Sequence, residues 1–209
     1  MISRFLSEQL KNPSGLFGRL VLTRLWNIGN APLNRLALEE LALTPDDRVL
    51  EVGFGGGYLL GRMAKVVTRG RLTGVDASRT MVDHVARSRR GLVRAGRLEL
   101  VLADAEALPF PEGRFTKACT VNAIFFWRDA RQALSELYRV LRPGGLLVSC
   151  QTCRQDIPRG LARGMTLYED DEVRRMVEEV GFVGIRTTLG EDRRRRFVCL
   201  AGRSSGAGR

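Results

Sequence analysis

A glycine-rich turn set between a strand-like run and a helix-like run governs the reading of this chain. Val49-Leu50-Glu51-Val52 reads as a short strand, Tyr58 opens a helix, and Gly53-Phe54-Gly55-Gly56-Gly57 joins them. Glycine permits a sharp reversal and lets a ligand approach the backbone closely. The first N–H groups of the helix lack intrahelical partners and are offered to polar ligand atoms. A glycine loop says little alone. Here it follows the first strand of an alternating pattern, at the carboxyl end where open α/β sheets bind ligands.

The pattern on either side supports that placement. Residues 1–44 read as helical, with Pro32 early in the second helix. Strands are expected at 48–52, 71–75, 98–102, 116–121 and 146–150, and helices at 58–67, 78–94, 129–141 and 169–180. The spans 183–189 and 196–201 read as a terminal hairpin, and Pro143-Gly144-Gly145 as a helix stop. Strands alternating with helices imply a mainly parallel sheet covered on both faces. The expected division is a helical cap or lid over 1–44, a binding domain over 45–202 and a flexible tail over 203–209.

Composition narrows the class. The chain has 209 residues, with 34 Lys+Arg against 23 Asp+Glu and a net charge of +11. The basic residues are nearly all arginine, and the densest run is Arg193-Arg194-Arg195-Arg196. Because that run enters the strand-like Phe197-Val198-Cys199-Leu200, it reads as a turn rather than a nucleic-acid arm. No apolar run is long enough for a membrane helix, and the N-terminus lacks a signal-peptide core. A cytoplasmic protein is therefore expected. Cys150 and Cys153 have C-x-x-C spacing, but no second pair completes a metal site. The four cysteines are expected to be reduced, and no metal is expected.

Three strand ends carry the chemistry. The glycine turn closes the first. Asp76 closes the second, where a carboxylate can accept from both ribose hydroxyls. Asp104 closes the third, within reach of a base edge. This layout suits an adenosine cofactor. The spacing G-x-G-x-G differs from the dinucleotide G-x-G-x-x-G, and Glu51 suits a cationic amino group rather than a pyrophosphate. No G-K-[ST] follows the glycines, which excludes a Walker-type phosphate loop.

Taken in order, Glu51-x-Gly53-x-Gly55-x-Gly57, Gly74-Val75-Asp76-Ala77-Ser78, Ala103-Asp104-Ala105-Glu106-Ala107-Leu108-Pro109-Phe110 and Leu137-Tyr138-Arg139-Val140-Leu141-Arg142-Pro143-Gly144-Gly145 resemble the motifs of class I S-adenosylmethionine-dependent methyltransferases. The resemblance covers roughly residues 33–201. It is strongest to the small-molecule, ubiquinone- and menaquinone-biosynthesis-like "type 11" branch. It implies a Rossmann-like fold with a seven-stranded, mostly parallel sheet, one antiparallel strand, helices on both faces and a helical N-terminal cap. It implies S-adenosylmethionine as cofactor and S-adenosylhomocysteine as product. By the same resemblance Glu51, Gly53, Phe54, Gly55 and Gly57 would hold the methionine part. Asp76, Ala77 and Ser78 would hold the ribose, Asp104 and Ala105 the adenine, and Asn122 would lie near the methionine end.

The expected reaction is methyl transfer to a small organic molecule, driven mainly by proximity and orientation. His84, the only histidine, has polar neighbours and is expected to face away from the cofactor. Acceptor contacts are expected from Trp26, Asn30, Tyr58, Phe125, Phe126, Trp127 and Tyr168, whose aromatics would wall an apolar pocket. The +11 charge motivates an RNA methyltransferase as the rival, but Asn122-Ala123-Ile124-Phe125 lacks the prolines of [DN]-P-P-[FY]. A non-catalytic cofactor-binding protein is the third reading. The acceptor and the oligomeric state are not written in the sequence.

Overall fold

The computed structural model describes residues 30–160, 162 and 164–205. In chain order the elements are α1 (Ala31–Leu41), β1 (Arg48–Val52), α2 (Tyr58–Met63), β2 (Arg71–Asp76), α3 (Arg79–Ser88), α4 (Arg90–Arg94), β3 (Leu98–Leu102), β4 (Phe115–Val121), α5 (Ala130–Val140), β5 (Leu141–Thr152), α6 (Asp170–Val180), β6 (Phe182–Glu191) and β7 (Arg196–Ser204). The seven strands form one sheet in the order β3-β2-β1-β4-β5-β7-β6. The first five run parallel, and β7 is antiparallel to both neighbours. This is the expected Rossmann-like class I methyltransferase architecture.

Strand alternation divides the core in two. Leu50 and Val52 of β1 pack with Leu134 of α5 and Val173 of α6. Val49 faces the other way, with Leu59 of α2, Met81 of α3 and Leu33, Ala37 and Leu41 of α1. The described part of the N-terminal segment is therefore a layer of the domain rather than a separate lid. Its apolar stripe is fully buried, and Glu40 fastens it to β6 through Arg186 and Thr188. The rest of the expected cap, residues 1–29, lies outside the described residues.

Several boundaries correct the sequence reading. Helix α2 ends at Met63 rather than near Val67. The helix expected over 78–94 breaks at Arg89 into α3 and α4. Gly91 weakens the helix there, and the Ser88 hydroxyl donates back to the Val85 carbonyl. Strand β5 starts at Leu141, not Leu146. Phe115 pairs with Leu141 and Lys117 with Leu146, so Pro143-Gly144-Gly145 forms a wide irregularity inside the strand. Two residues expected in the tail are in a strand. Arg203 and Ser204 belong to β7, and the Ser204 hydroxyl donates to the Arg142 carbonyl at 2.7 Å.

The expectation of four reduced cysteines is also overturned. Cys150 of β5 and Cys199 of β7 are direct register partners and form a disulfide. Cys119 and Cys153 are free and buried, so the C-x-x-C pair does not act as a unit. Among the described residues, no helix is long and apolar enough to cross a membrane.

Candidate cofactor and acceptor site

A cavity of about 1010 Å³ opens over the carboxyl ends of the central strands. Its floor is the glycine turn. The Gly53 N–H donates to the Val75 carbonyl at 2.8 Å, and the Gly57 N–H to the Phe54 carbonyl at 2.9 Å. Gly53, Gly55 and Gly57 all have positive φ, at 76°, 49° and 69°. The three differ in what surrounds them. A Cβ on Gly53 would stand 2.3 Å from the Ala123 Cβ, and one on Gly57 2.8 Å from Val85. A Cβ on Gly55 would meet nothing within 4 Å. Gly53 and Gly57 are therefore demanded by packing, whereas Gly55 borders open cavity.

That contrast separates a ligand platform from a mere tight turn. We expect Gly53→Ala to destabilise the fold by about 2–5 kcal/mol, from clash plus left-handed strain. Gly55→Ala should cost only about 1–2 kcal/mol, yet weaken S-adenosylhomocysteine binding about tenfold or more. Thermal melts and calorimetric titration read the two effects. Undiminished binding in Gly55→Ala would reduce the loop to a turn.

Asp76 braces this floor. The Gly55 N–H donates to its Oδ2 and the Ser78 N–H to its Oδ1, each at 2.9 Å. Burial raises its carboxyl above the ordinary range, and the two N–H donors act against that rise. Each oxygen keeps further acceptor capacity toward the cavity. Glu51 lies deeper and is 3% exposed. Burial, and secondarily the charge of Asp76, pushes its carboxyl up to about 8, against the Leu60 N–H. Its Oε2 has no hydrogen-bond partner. A buried, unpartnered carboxylate is costly unless a cation or donor completes it. It fits the ammonium of an amino-acid ligand, and the Asp76 oxygens fit a pair of hydroxyls.

The remaining strand ends close the site. Ala77, Ala105 and Asp104 line the cavity, and Arg128 lies 3.6 Å from Asp104. Asn122 ends β4 in the left-handed region, at φ 56°, which asparagine tolerates better than most residues. Its Oδ1 accepts from the Thr152 N–H at 2.8 Å, and its Nδ2 donates to Asn30 Oδ1 at 3.1 Å. Arg195 joins the same junction, donating to Asn30 Oδ1 and Thr152 Oγ1, each at 3.3 Å. Four distant segments thus meet at one polar corner.

Tyr58, Phe125, Phe126 and Trp127 also line the cavity. Phe125 and Trp127 are also core residues, at 3% and 7% exposure, so they serve packing and pocket together. Gly57 and Ser78, the N-cap residues of α2 and α3, are not lining residues. Tyr168 packs against the core and is not a lining residue. Neither is His84. Trp26 lies outside the described residues. The sequence reading missed Thr152, the segment Asp156-Ile157-Pro158, Met165 and the turn Asp192-Arg193-Arg194-Arg195, all of which line the cavity.

The sheet order, the glycine floor and the acids closing β1 and β2 define a class I methyltransferase architecture. Residues 50–149 match the family model described as a methyltransferase domain, type 11. Over that stretch the chain carries a methyltransferase domain of this S-adenosylmethionine-dependent type. It is 34% identical over 116 residues to the uncharacterized methyltransferase YdaC of Bacillus subtilis, covering 56% of this chain and 62% of that one. It is 32% identical over 115 residues to the ubiquinone/menaquinone biosynthesis C-methyltransferase UbiE of Geotalea daltonii, covering 54% and 49%. The chain therefore spans less than two thirds of these relatives. The crystal structure of the [4+2]-cyclase SpnF shares the fold with a TM-score of 0.72 at 19% identity, over 84% of this chain and 81% of that one.

Proposed function

We propose that this chain transfers the methyl group of S-adenosylmethionine to a small organic molecule. The observation that carries the reading is the shared cavity. A buried acid with one unpartnered oxygen, a braced glycine floor and four aromatic side chains line it together. Glu51 would receive the ammonium of the cofactor, and the Gly53–Gly57 turn with Phe54 would follow its methionine part. Asp76, flanked by Ala77 and Ser78, would accept from the ribose. Asp104 and Ala105 would meet the adenine, and Asn122 would border the methionine end. When bound, the cofactor supplies an electrophilic methyl carbon on a cationic sulfur, ready for in-line displacement by a nucleophile.

The protein's part is to position the acceptor and exclude water. Tyr58, Phe125, Phe126 and Trp127 would hold a flat or apolar body, with Asn30 at the polar corner. The acids on the acceptor side are poor bases. Hydrogen bonds from Arg196 hold Asp156 below the usual carboxylate range. The Arg194 N–H, with Arg195, does the same for Asp192. Orientation of an already reactive nucleophile is thus the mechanism these groups support. UbiE, by its name a C-methyltransferase of quinone biosynthesis, supports the small-molecule class.

Methyl-labelled S-adenosylmethionine, purified protein and a fractionated extract of the source cells test this. We expect label in the small-molecule fraction, identifiable by mass. Label in RNA would overturn the acceptor class. Tight S-adenosylhomocysteine binding with no label in any fraction would favour a non-methylating use of the fold.

A further inference from the structure

We propose that the methyl acceptor carries an anionic group, a carboxylate or a phosphate, seated against Arg193 and Arg194. The inference rests on the methyl-transfer reading of the same cavity and assigns the chemistry of its second ligand. Sheet topology brings these arginines to the site. Thr152, the last residue of β5, pairs with Phe197 near the start of β7. Because β7 is antiparallel, the turn before it stands beside the carboxyl end of β5, on the ligand-binding edge. Asp192 shapes that turn by accepting from the Arg194 and Arg195 N–H groups, at 2.8 and 3.1 Å.

The acids around the mouth are already engaged. Asp192 is paired with Arg195 at 3.4 Å, Asp156 with Arg196 at 2.9 Å and Asp104 with Arg128 at 3.6 Å, and Glu106 accepts from the Arg128 and Asp129 N–H groups. Arg193 and Arg194 line the cavity, and no carboxylate among the described residues lies within ion-pair distance of either side chain. Among the described residues these two guanidinium groups thus stand at the mouth with no carboxylate partner. A guanidinium presents a planar fork of donors that matches carboxylate and phosphate oxygens. A concave mouth of one sign also focuses its field on an incoming ligand of the other. The acids Glu51 of β1 and Asp76 of β2 line the same cavity, and in the sheet β4 and β5 stand between their strands and β7. The cavity is thus polarised, with an acidic end suited to a cationic cofactor and a basic end suited to an anionic acceptor. The aromatic wall between them selects an apolar body for that acceptor.

The test uses the full chain saturated with S-adenosylhomocysteine and two probes of matched shape, cinnamate and cinnamamide, titrated by ligand-observed NMR. We expect cinnamate to bind about tenfold more tightly, the worth of one charge-assisted hydrogen-bonded contact. The double variant Arg193→Gln, Arg194→Gln should erase that preference while leaving S-adenosylhomocysteine affinity unchanged. Rising salt should shrink the preference in the unaltered chain. Equal binding of the two probes, a preference that survives in the double variant, or no binding of either overturns the proposal. Displacement of cinnamate by a short RNA oligonucleotide that binds more tightly overturns it in favour of a nucleic-acid acceptor. Failure of S-adenosylhomocysteine to bind the unaltered chain would instead sink the cofactor reading, so the two failures are distinct.

Discussion

Replacing Asp76 with alanine is expected to weaken S-adenosylhomocysteine binding by about a hundredfold or more. The estimate follows from what the side chain does. Each carboxylate oxygen already accepts one backbone N–H, from Gly55 and from Ser78. Two ribose hydroxyls would add two further bonds to a charged acceptor, each worth about 1.5–3 kcal/mol, and two such losses correspond to factors of about 10² to 10⁴. Alanine removes these bonds and frees the two N–H groups that fix the floor. Asp76→Asn should fall in between, since it keeps one oxygen but presents an NH₂ toward a donor. Calorimetric titration gives the affinities, and circular dichroism with a thermal melt separates binding from unfolding. An unchanged Kd in Asp76→Ala, even with a lowered Tm, would make Asp76 a loop brace and nothing more.

The side of this cavity that we assign to the cofactor was legible in the sequence because its residues are local. Glu51, the glycines and Tyr58 occupy eight consecutive positions, and strand-end acids fall where a βαβ unit must place them. The acceptor side was not, because it depends on register between distant segments. The run Arg193–Arg196 read as a turn, which it is, but its placement at the cavity needs the antiparallel pairing of β7 with β5. The hairpin was expected, and carrying its antiparallel sense one step further would have put its turn on the ligand edge. The Cys150–Cys199 pairing escaped for the same reason: it is fixed by the same register, across 49 positions. Within elements, the misplaced boundaries have local causes. Pro143-Gly144-Gly145 reads as a helix stop, yet it sits inside β5 as a bulge opposite the Phe115–Lys117 stretch of β4. The two aromatic roles, core and pocket, could not be separated by pattern, and Phe125 and Trp127 turn out to fill both.

Glu51 is expected to couple cofactor binding to proton release. In the ligand-free protein its carboxyl is raised by burial from the ordinary 4.5 to about 8. At pH 7 it is therefore mostly protonated, and receiving an ammonium requires the proton to leave. An α-amino group, with a pKa of about 7.7–8.0 even at a peptide terminus, is already largely charged at that pH. The proton released is then that of Glu51. Calorimetry at pH 7 in buffers of different ionisation enthalpy should report close to one proton released per S-adenosylhomocysteine bound, and Glu51→Gln should abolish the release and weaken binding. The same shift governs stability. Between pH 4.5 and about 8 the folded chain holds a proton that the unfolded chain has lost, so the ligand-free protein loses stability as pH rises through that window. The loss is on the order of 4 kcal/mol when complete, and Glu51→Gln should flatten the profile and stand above the unaltered protein at alkaline pH. Bound S-adenosylhomocysteine should remove most of the slope by supplying the missing cation. A buffer-independent heat together with a flat stability profile would mean that Glu51 is already ionised before any ligand arrives, and would remove it as the ammonium's partner.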